Sequence, residues 1–115
     1  MKKKFKISLV ILLLLLSVGI GSYYFILSQY EPSESLYQFP IPKNAELLIK
    51  GDDVVTYYWS RASEENGIPF DYELVLKKNG WSKGEREGAS VFYTKDDKMI
   101  DLISTTERLD IIKVH

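Results

Sequence analysis

Three pairs of adjacent carboxylates are the residues of this chain whose chemistry most resembles that of a hydrolase. In such an enzyme one carboxyl group protonates the leaving group and the second acts as a base or nucleophile, so the two must face each other across a bond. Adjacent residues in a turn point apart, and turns favour aspartate because its side chain bonds the local backbone. We therefore interpret the pairs as solvated turns. They are Asp52/Asp53, Glu64/Glu65 and Asp96/Asp97.

Clustered carboxylates could also bind calcium, which prefers hard oxygen ligands. A calcium loop, however, needs alternating Asp-x-Asp spacing and a distal glutamate, whereas Asp96 and Asp97 are adjacent. The chain contains no cysteine, and its single histidine is His115. Zinc and haem sites therefore lack ligands, and we predict no bound metal and no cofactor.

Nucleophilic catalysis also lacks its usual partners. Without an internal histidine, no serine has a base that could form a Ser-His-Asp group. A Ser–Lys pair would need a buried lysine that loses its proton, whereas Lys77 and Lys78 are predicted at an exposed helix end. We therefore predict no catalytic residues. The serines considered were Ser60, Ser63, Ser82 and Ser90.

An aromatic-rich set of residues is the remaining candidate for a binding site. Rigid aromatic rings supply a large contact area for peptides or glycans at low entropic cost. A small domain also needs large side chains in its core, and alternation along a strand sends half of them inward. We assign most of the set to the core and expect Tyr58 to be an exposed exception that binds a partner. The set comprises Tyr37, Phe39, Tyr57, Tyr58, Trp59 and Tyr93.

The distribution of charge divides the chain into two parts. Four lysines lie within residues 2–6, and all sixteen acidic residues lie from Glu31 onward. Residues 31–115 contain eleven basic side chains against those sixteen acids, a net charge of −5. Because an acidic surface is repelled by phosphate backbones, we predict that nucleic acid is not a partner.

Residues 7–27 form a run of 21 residues without a charge, of which sixteen are Ile, Leu, Val, Phe or Tyr. As a helix at about 1.5 Å per residue, this run spans roughly 30 Å, the thickness of the hydrocarbon core of a bilayer. Lys2, Lys3, Lys4 and Lys6 precede it, and a basic flank stays in the cytoplasm. We predict a single transmembrane helix that anchors the chain in the cell membrane, with residues 1–6 cytoplasmic and the C-terminal part extracytoplasmic.

A cleaved signal peptide is the alternative interpretation of the same segment. Its apolar region would be residues 7–16, followed by the small-x-small site Gly19-Ile20-Gly21. The apolar run resumes at Tyr23 and continues to Leu27, which favours a retained anchor. Both interpretations place residues 31–115 outside the cytoplasm.

The rest of the chain predicts an α+β fold, with one helix packed on an antiparallel sheet of roughly five or six strands. Residues 28–38 contain the polar stretch Glu31-Pro32-Ser33-Glu34-Ser35 and are interpreted as a spacer, followed by a domain over residues 39–115. An extended segment at residues 39–42 is expected from its two prolines. The short turns after Trp81 predict an antiparallel meander. The predicted strands are 45–50, 54–60, 81–85, 89–94, 99–104 and 109–114.

The helix is predicted between Arg61 and Gly80, where the apolar period changes to that of a helix. Pro69 suits its first turn, and Asn79-Gly80 is a strong stop signal. With Gly80 in the left-handed conformation, Trp81 can pack on Leu76, the hydrophobic contact of a Schellman ending.

From about Tyr37 onward, the chain resembles small, uncharacterised, N-terminally membrane-anchored proteins of Bacillus-type bacteria. The resemblance implies a Gram-positive cell surface and carries no activity or catalytic residue. It rests on Trp59-Ser60-Arg61-Ala62-Ser63-Glu64-Glu65-Asn66-Gly67-Ile68-Pro69, Leu76-Lys77-Lys78-Asn79-Gly80-Trp81, Ser90-Val91-Phe92-Tyr93-Thr94 and Ile100-Asp101-Leu102-Ile103.

The sequence favours a single-pass membrane protein whose non-catalytic extracytoplasmic domain binds an envelope or secreted protein. A secreted inhibitor or regulator, released after cleavage at Gly21, is one alternative. An envelope enzyme that uses carboxylates or a Ser–Lys pair is another, and Glu73, Lys77 and Asp101 are the residues whose replacement would test it.

Overall fold

A computed structural model describes the backbone of residues 2–115 and the side chains of these residues except Lys2, Lys3 and Phe5. Part of the predicted basic segment, residues 1–6, thus lies outside the described side chains. The elements, in chain order, are α1 (Lys2–Ser28), β1 (Tyr30–Ser33), a 3₁₀ turn (Glu34–Leu36), β2 (Phe39–Pro42), β3 (Glu46–Lys50), β4 (Val54–Tyr58), α2 (Phe70–Lys78), β5 (Ser82–Glu87), β6 (Ser90–Lys95), β7 (Lys98–Thr105) and β8 (Arg108–Val114).

Six strands form one antiparallel sheet in the order β3-β4-β8-β7-β6-β5. Each of the last four strands pairs with its neighbour in sequence, because the turns between them are short. The hairpin β3–β4 joins the other end of this meander, where β4 pairs with β8. The predicted α+β fold, with one helix and an antiparallel sheet after an apolar N-terminal helix, is confirmed. The predicted strand over residues 54–60 ends two residues early, at Tyr58.

Helix α2 has the predicted C-terminal ending. The backbone N–H of Trp81 donates to the carbonyl oxygen of Leu76 at 3.0 Å, and that of Gly80 donates to the carbonyl oxygen of Lys77 at 3.1 Å. Gly80 has a φ of 90°, a left-handed conformation that glycine adopts without steric cost. Together these features define a Schellman motif, in which the side chains of Trp81 and Leu76 are both buried.

The core lies between one face of the sheet and a layer formed by α2 and the hairpin β1–β2. Residues that share a face across the sheet include Val55, Ile111 and Leu102, which stand opposite one another in neighbouring strands. Phe39 of β2 packs edge-to-face on Trp81, with ring centroids 5.0 Å apart. The largest fully buried side chains are Trp59, Tyr72, Tyr93, Phe39, Leu36, Leu76, Ile100, Leu109 and Ile111.

Of the segment predicted as a spacer, residues 28–38, Ser28 ends α1 and the part from Tyr30 onward packs with the domain. Strand β1 pairs with β2 directly after α1, and Tyr30 and Leu36 are buried in the core. Tyr30 stacks on Tyr72, with ring centroids 4.9 Å apart. The polar residues between these two apolar side chains face outward, so their local composition resembles that of a linker. The domain therefore begins at Tyr30 rather than at residue 39.

Helix α1 projects from the domain and leaves its apolar surface exposed. Within its stretch Lys6–Ser28, an 18-residue window has a mean hydropathy of 2.4 and is not buried, so the helix is long and apolar enough to cross a membrane. At its C-terminal end, Ile26 and Leu27 pack against the domain core. The apolar helix is thus continuous with the packed domain.

Candidate interaction surface

The acidic pairs considered for catalysis all lie on exposed residues, and Asp96 lies in a turn with a φ of 56°. Across residues 2–115, no group of three or more His, Cys, Asp or Glu side chains could hold a metal ion. Asp53 accepts a hydrogen bond from His115 at 2.8 Å, an interaction that lowers the pKa of the Asp53 carboxyl. This pair ties the end of the chain to the β3–β4 turn.

The candidate Ser–Lys nucleophiles are not brought together. Lys77 and Lys78 are exposed, as expected for a helix end. The Ser90 hydroxyl donates to the carboxylate of Asp101, and the Ser63 hydroxyl accepts from the backbone N–H of Asn66. Neither hydroxyl is hydrogen-bonded to Lys77 or Lys78.

A cleft of about 370 Å³ lies beside the C-terminal end of α2 and contains the ion pair between Glu73 and Lys83, whose charged atoms are 2.8 Å apart. Two of its lining residues, Trp81 and Tyr93, contribute polar atoms that make no hydrogen bond within residues 2–115. Burial raises the pKa of the Tyr93 phenol. The Trp81 and Tyr93 polar atoms are fully buried, so these two residues contribute apolar ring surface to the cleft, which is also lined by the exposed Lys77 and Ser82.

A polar cluster joins the start of α2 to β1. The guanidinium of Arg61 donates two hydrogen bonds to the Asp71 carboxylate, at 2.7 and 2.9 Å, and the Tyr30 hydroxyl donates a third at 3.2 Å. Burial by itself would raise the pKa of the Asp71 carboxyl, but the contacts with Arg61 lower it below its usual value. Burial also raises the pKa of Tyr30. The phenol thus stays protonated, and the cluster ties β1 to the start of α2.

Tyr58 lies at the end of β4 with 42% of its surface exposed. It stands opposite Glu46 in β3 and Arg108 in β8. Its hydroxyl donates to the Glu107 carboxylate at 3.3 Å, and the negative charge of that group raises the pKa of the Tyr58 phenol. The exposure expected for Tyr58 is confirmed, while its role in partner binding stays a prediction.

The other members of the aromatic set divide as the alternation along strands requires. Phe39, Tyr57, Trp59 and Tyr93 are buried in the core, as predicted. Tyr37 is half-buried, and the ammonium groups of Lys98 and Lys113 lie 5.7 and 5.4 Å from its ring centroid.

The edge strand β3 next to Tyr58 is the most apolar exposed feature of the domain. Leu47, Leu48 and Ile49 expose 52%, 51% and 58% of their surfaces, although they are consecutive residues of a strand. A bulge at Leu48 interrupts the pairing with β4. Sequence reasoning missed this surface, because the run Leu47-Leu48-Ile49 is equally typical of a strand buried on both faces. The one feature of the sequence that could have indicated this surface is that apolar and polar residues do not alternate along the run.

The opposite edge of the sheet is protected by charge. Strand β5 carries the side chains of Lys83, Glu85, Arg86 and Glu87, and it is exposed along its whole length. Arg86 also donates to the carbonyl oxygens of Gly88 and Glu64, so part of the strand is held by neighbouring backbone. Charged edges of this kind resist pairing with other chains. Of the two edges of the sheet, β3 is thus the apolar one and β5 the charged one.

Comparison with known proteins finds no matching protein-family model, no matching curated protein and no matching solved structure. The resemblance to anchored proteins of Bacillus-type bacteria therefore stays a prediction.

Proposed function

We propose that this chain is a single-pass membrane protein whose domain binds a protein partner at the cell envelope through β3 and the adjoining Tyr58. In this proposal α1 holds the N-terminus in the cytoplasm, and the domain from Tyr30 onward is extracytoplasmic and has no catalytic role. The observation that carries the proposal is the exposure of three consecutive large apolar residues on an edge strand. The free side of an edge strand offers backbone hydrogen bonds to an added strand, and its side chains supply apolar contact.

The exposed apolar surface of α1 supports its retention as an anchor. Cleavage after Gly21 would leave a helical stub on the secreted domain. Tyr24 and Phe25 in that stub are 67% and 66% exposed, so the secreted form would present both side chains to water. In the intact chain the same residues lie where a helix meets the outer membrane interface, which suits aromatic rings.

The anchored form is tested by its mass and its extraction behaviour in cells. We expect the full 13.3 kDa chain in the membrane fraction, where it should withstand an alkaline carbonate wash. Protease added to intact protoplasts should degrade the domain. A shorter chain in the medium would instead identify the secreted form. Protection of the domain from protease would show that the domain lies in the cytoplasm.

The binding surface is tested by placing a photo-crosslinking amino acid at Tyr58 of the full-length chain in living cells. Because this side chain lies beside β3, irradiation should join it to the partner. The matched control places the same group at Glu85 on the charged edge β5, where we expect no adduct. Equal yields from the two positions would contradict binding at the β3 edge.

A further inference from the structure

The geometry points to a second copy of this chain as the partner of β3. We propose that two β3 strands pair antiparallel about Leu48, which joins two six-stranded sheets into one of twelve strands. This inference rests on the proposed function, since it names the partner of the same edge.

The charges at the two ends of β3 support self-pairing. In an antiparallel pair centred on Leu48, Glu46 of each copy stands opposite Lys50 of the other. Residues directly opposite on neighbouring strands lie close enough for opposite charges to stabilise the pair and for like charges to destabilise it. A parallel arrangement in register would instead place Glu46 against Glu46 and Lys50 against Lys50. The charges of β3, residues 46–50, therefore match those of a second β3 strand only when the two strands are antiparallel.

The apolar centre of the strand matches itself in the same register. Leu47 stands opposite Ile49 of the second copy, and Leu48 stands opposite Leu48. Each of these side chains is more than half exposed in the single chain, so pairing removes apolar surface from water at every central position. The bulge at Leu48 does not distinguish this edge, because β5 has a similar irregularity between Lys83 and Arg86. Composition distinguishes the two edges.

The position of α1 is compatible with this pairing in one membrane. Antiparallel strands in a continuous sheet are related by a two-fold axis perpendicular to it, so each face of the sheet continues across the junction. Helix α2 and the hairpin β1–β2 cover one face, and α1 contacts both α2 and β1. The C-terminal ends of both α1 helices therefore lie on the same side of the joined sheet.

Anchoring also explains how a short edge could suffice for association. Five residues per copy form a smaller contact than the roughly 1,200–2,000 Å² of a standard interface. Two copies confined to one membrane meet at a high effective concentration. This concentration favours association through a weak contact, without any additional contact between the copies. A weak contact between two β3 strands is then enough for two anchored copies to associate.

The natural absence of cysteine makes disulfide trapping a direct test. Leu48→Cys in the full-length chain places the two thiols opposite each other. Opposed residues in an antiparallel pair have Cα atoms about 4.5–5.5 Å apart, within the span of a disulfide. Mild oxidation of membranes should therefore yield a covalent species of twice the monomer mass. The control, Glu85→Cys on β5, should stay monomeric.

Charge exchange tests the register in the same Leu48→Cys background. Glu46→Lys and Lys50→Glu should each cause a loss of covalent dimer, because each places like charges opposite each other twice. The double variant should recover the dimer. Both side chains are exposed, so protease resistance of the domain should stay at the wild-type level in all variants. Loss in the single variants without recovery in the double variant would overturn the antiparallel register.

The amount of chain in the membrane fraction, measured in the same samples, separates the two proposals. If the Leu48→Cys chain is bound to the membrane but dimerises no more than Glu85→Cys, a second copy is not the partner of β3. The proposed function of an anchored domain would not be contradicted by that result. A disulfide to a protein of another mass would also overturn self-pairing. A chain missing from the membrane would contradict the proposed function itself.

Discussion

Removal of the Trp81 side chain should destabilise the domain more than any other change at the end of α2. The indole is 3% exposed and packs edge-to-face on Phe39, and the side chain of Leu76 is also buried in the core. Trp81→Ala keeps the backbone hydrogen bond to Leu76, so the variant isolates the loss of packing. Truncation of a buried tryptophan to alanine costs about 3–5 kcal/mol. Since whole domains are stable by only about 5–15 kcal/mol, this variant should lie close to unfolding at 25 °C.

Thermal denaturation of the full-length chain in detergent micelles measures this effect. Near-ultraviolet circular dichroism reports the packing of Trp59 and the eight tyrosines, which remain in the variant. At about 4–8 °C per kcal/mol for a domain of this size, a loss of about 3 kcal/mol lowers Tm by at least about 12 °C.

Phe70→Ala on the same helix is the matched control. Phe70 is 79% exposed, so its removal should change stability by no more than about 0.5 kcal/mol. If Trp81→Ala and Phe70→Ala melted within about 2 °C of each other, a difference of less than about 1 kcal/mol, Trp81 would not be packed as described.

Three further predictions concern backbone strain, acid stability and topology. Gly80→Val should destabilise the domain by about 1–3 kcal/mol in the same melts, because a β-branched residue is strained at a φ of 90°. The pKa of Asp71 is lowered in the folded state, so its stabilisation is complete above the unfolded value of about 4 and disappears as the pH falls through the folded value. Urea midpoints should therefore fall with acid less steeply in Asp71→Asn than in the control Asp52→Asn. Replacing the four lysines within residues 2–6 with glutamate should weaken the N-in orientation in protease protection assays without releasing the chain from the membrane.

The features that the sequence determined depend on neighbours a few residues apart. The end of α2 follows from Gly80, from the carbonyl groups one turn earlier and from Trp81, all within six residues. The meander β5–β8 follows from turns too short for any arrangement except antiparallel neighbours. The apolar length of α1 is likewise a property of one continuous segment.

The start of the domain depended on a contact that no local pattern encodes. Tyr30 belongs to the core because it stacks on Tyr72 and bonds to Asp71, residues more than forty positions away. Composition alone therefore described its surroundings as a spacer.

Only the tertiary structure decided which strand lies at the apolar edge of the sheet. The sequence indicated a hairpin of two strands at residues 45–60 and a separate meander, but either end of the meander could have received it. The structure joins β4 to β8 through pairs such as Thr56 and Asp110, 54 residues apart, whose side chains are hydrogen-bonded at 2.6 Å. This pairing leaves β3 with a neighbour on one side only. The physical reason is that strand order depends on hydrogen bonds and packing between distant segments, whereas the identity of each strand depends on its own residues.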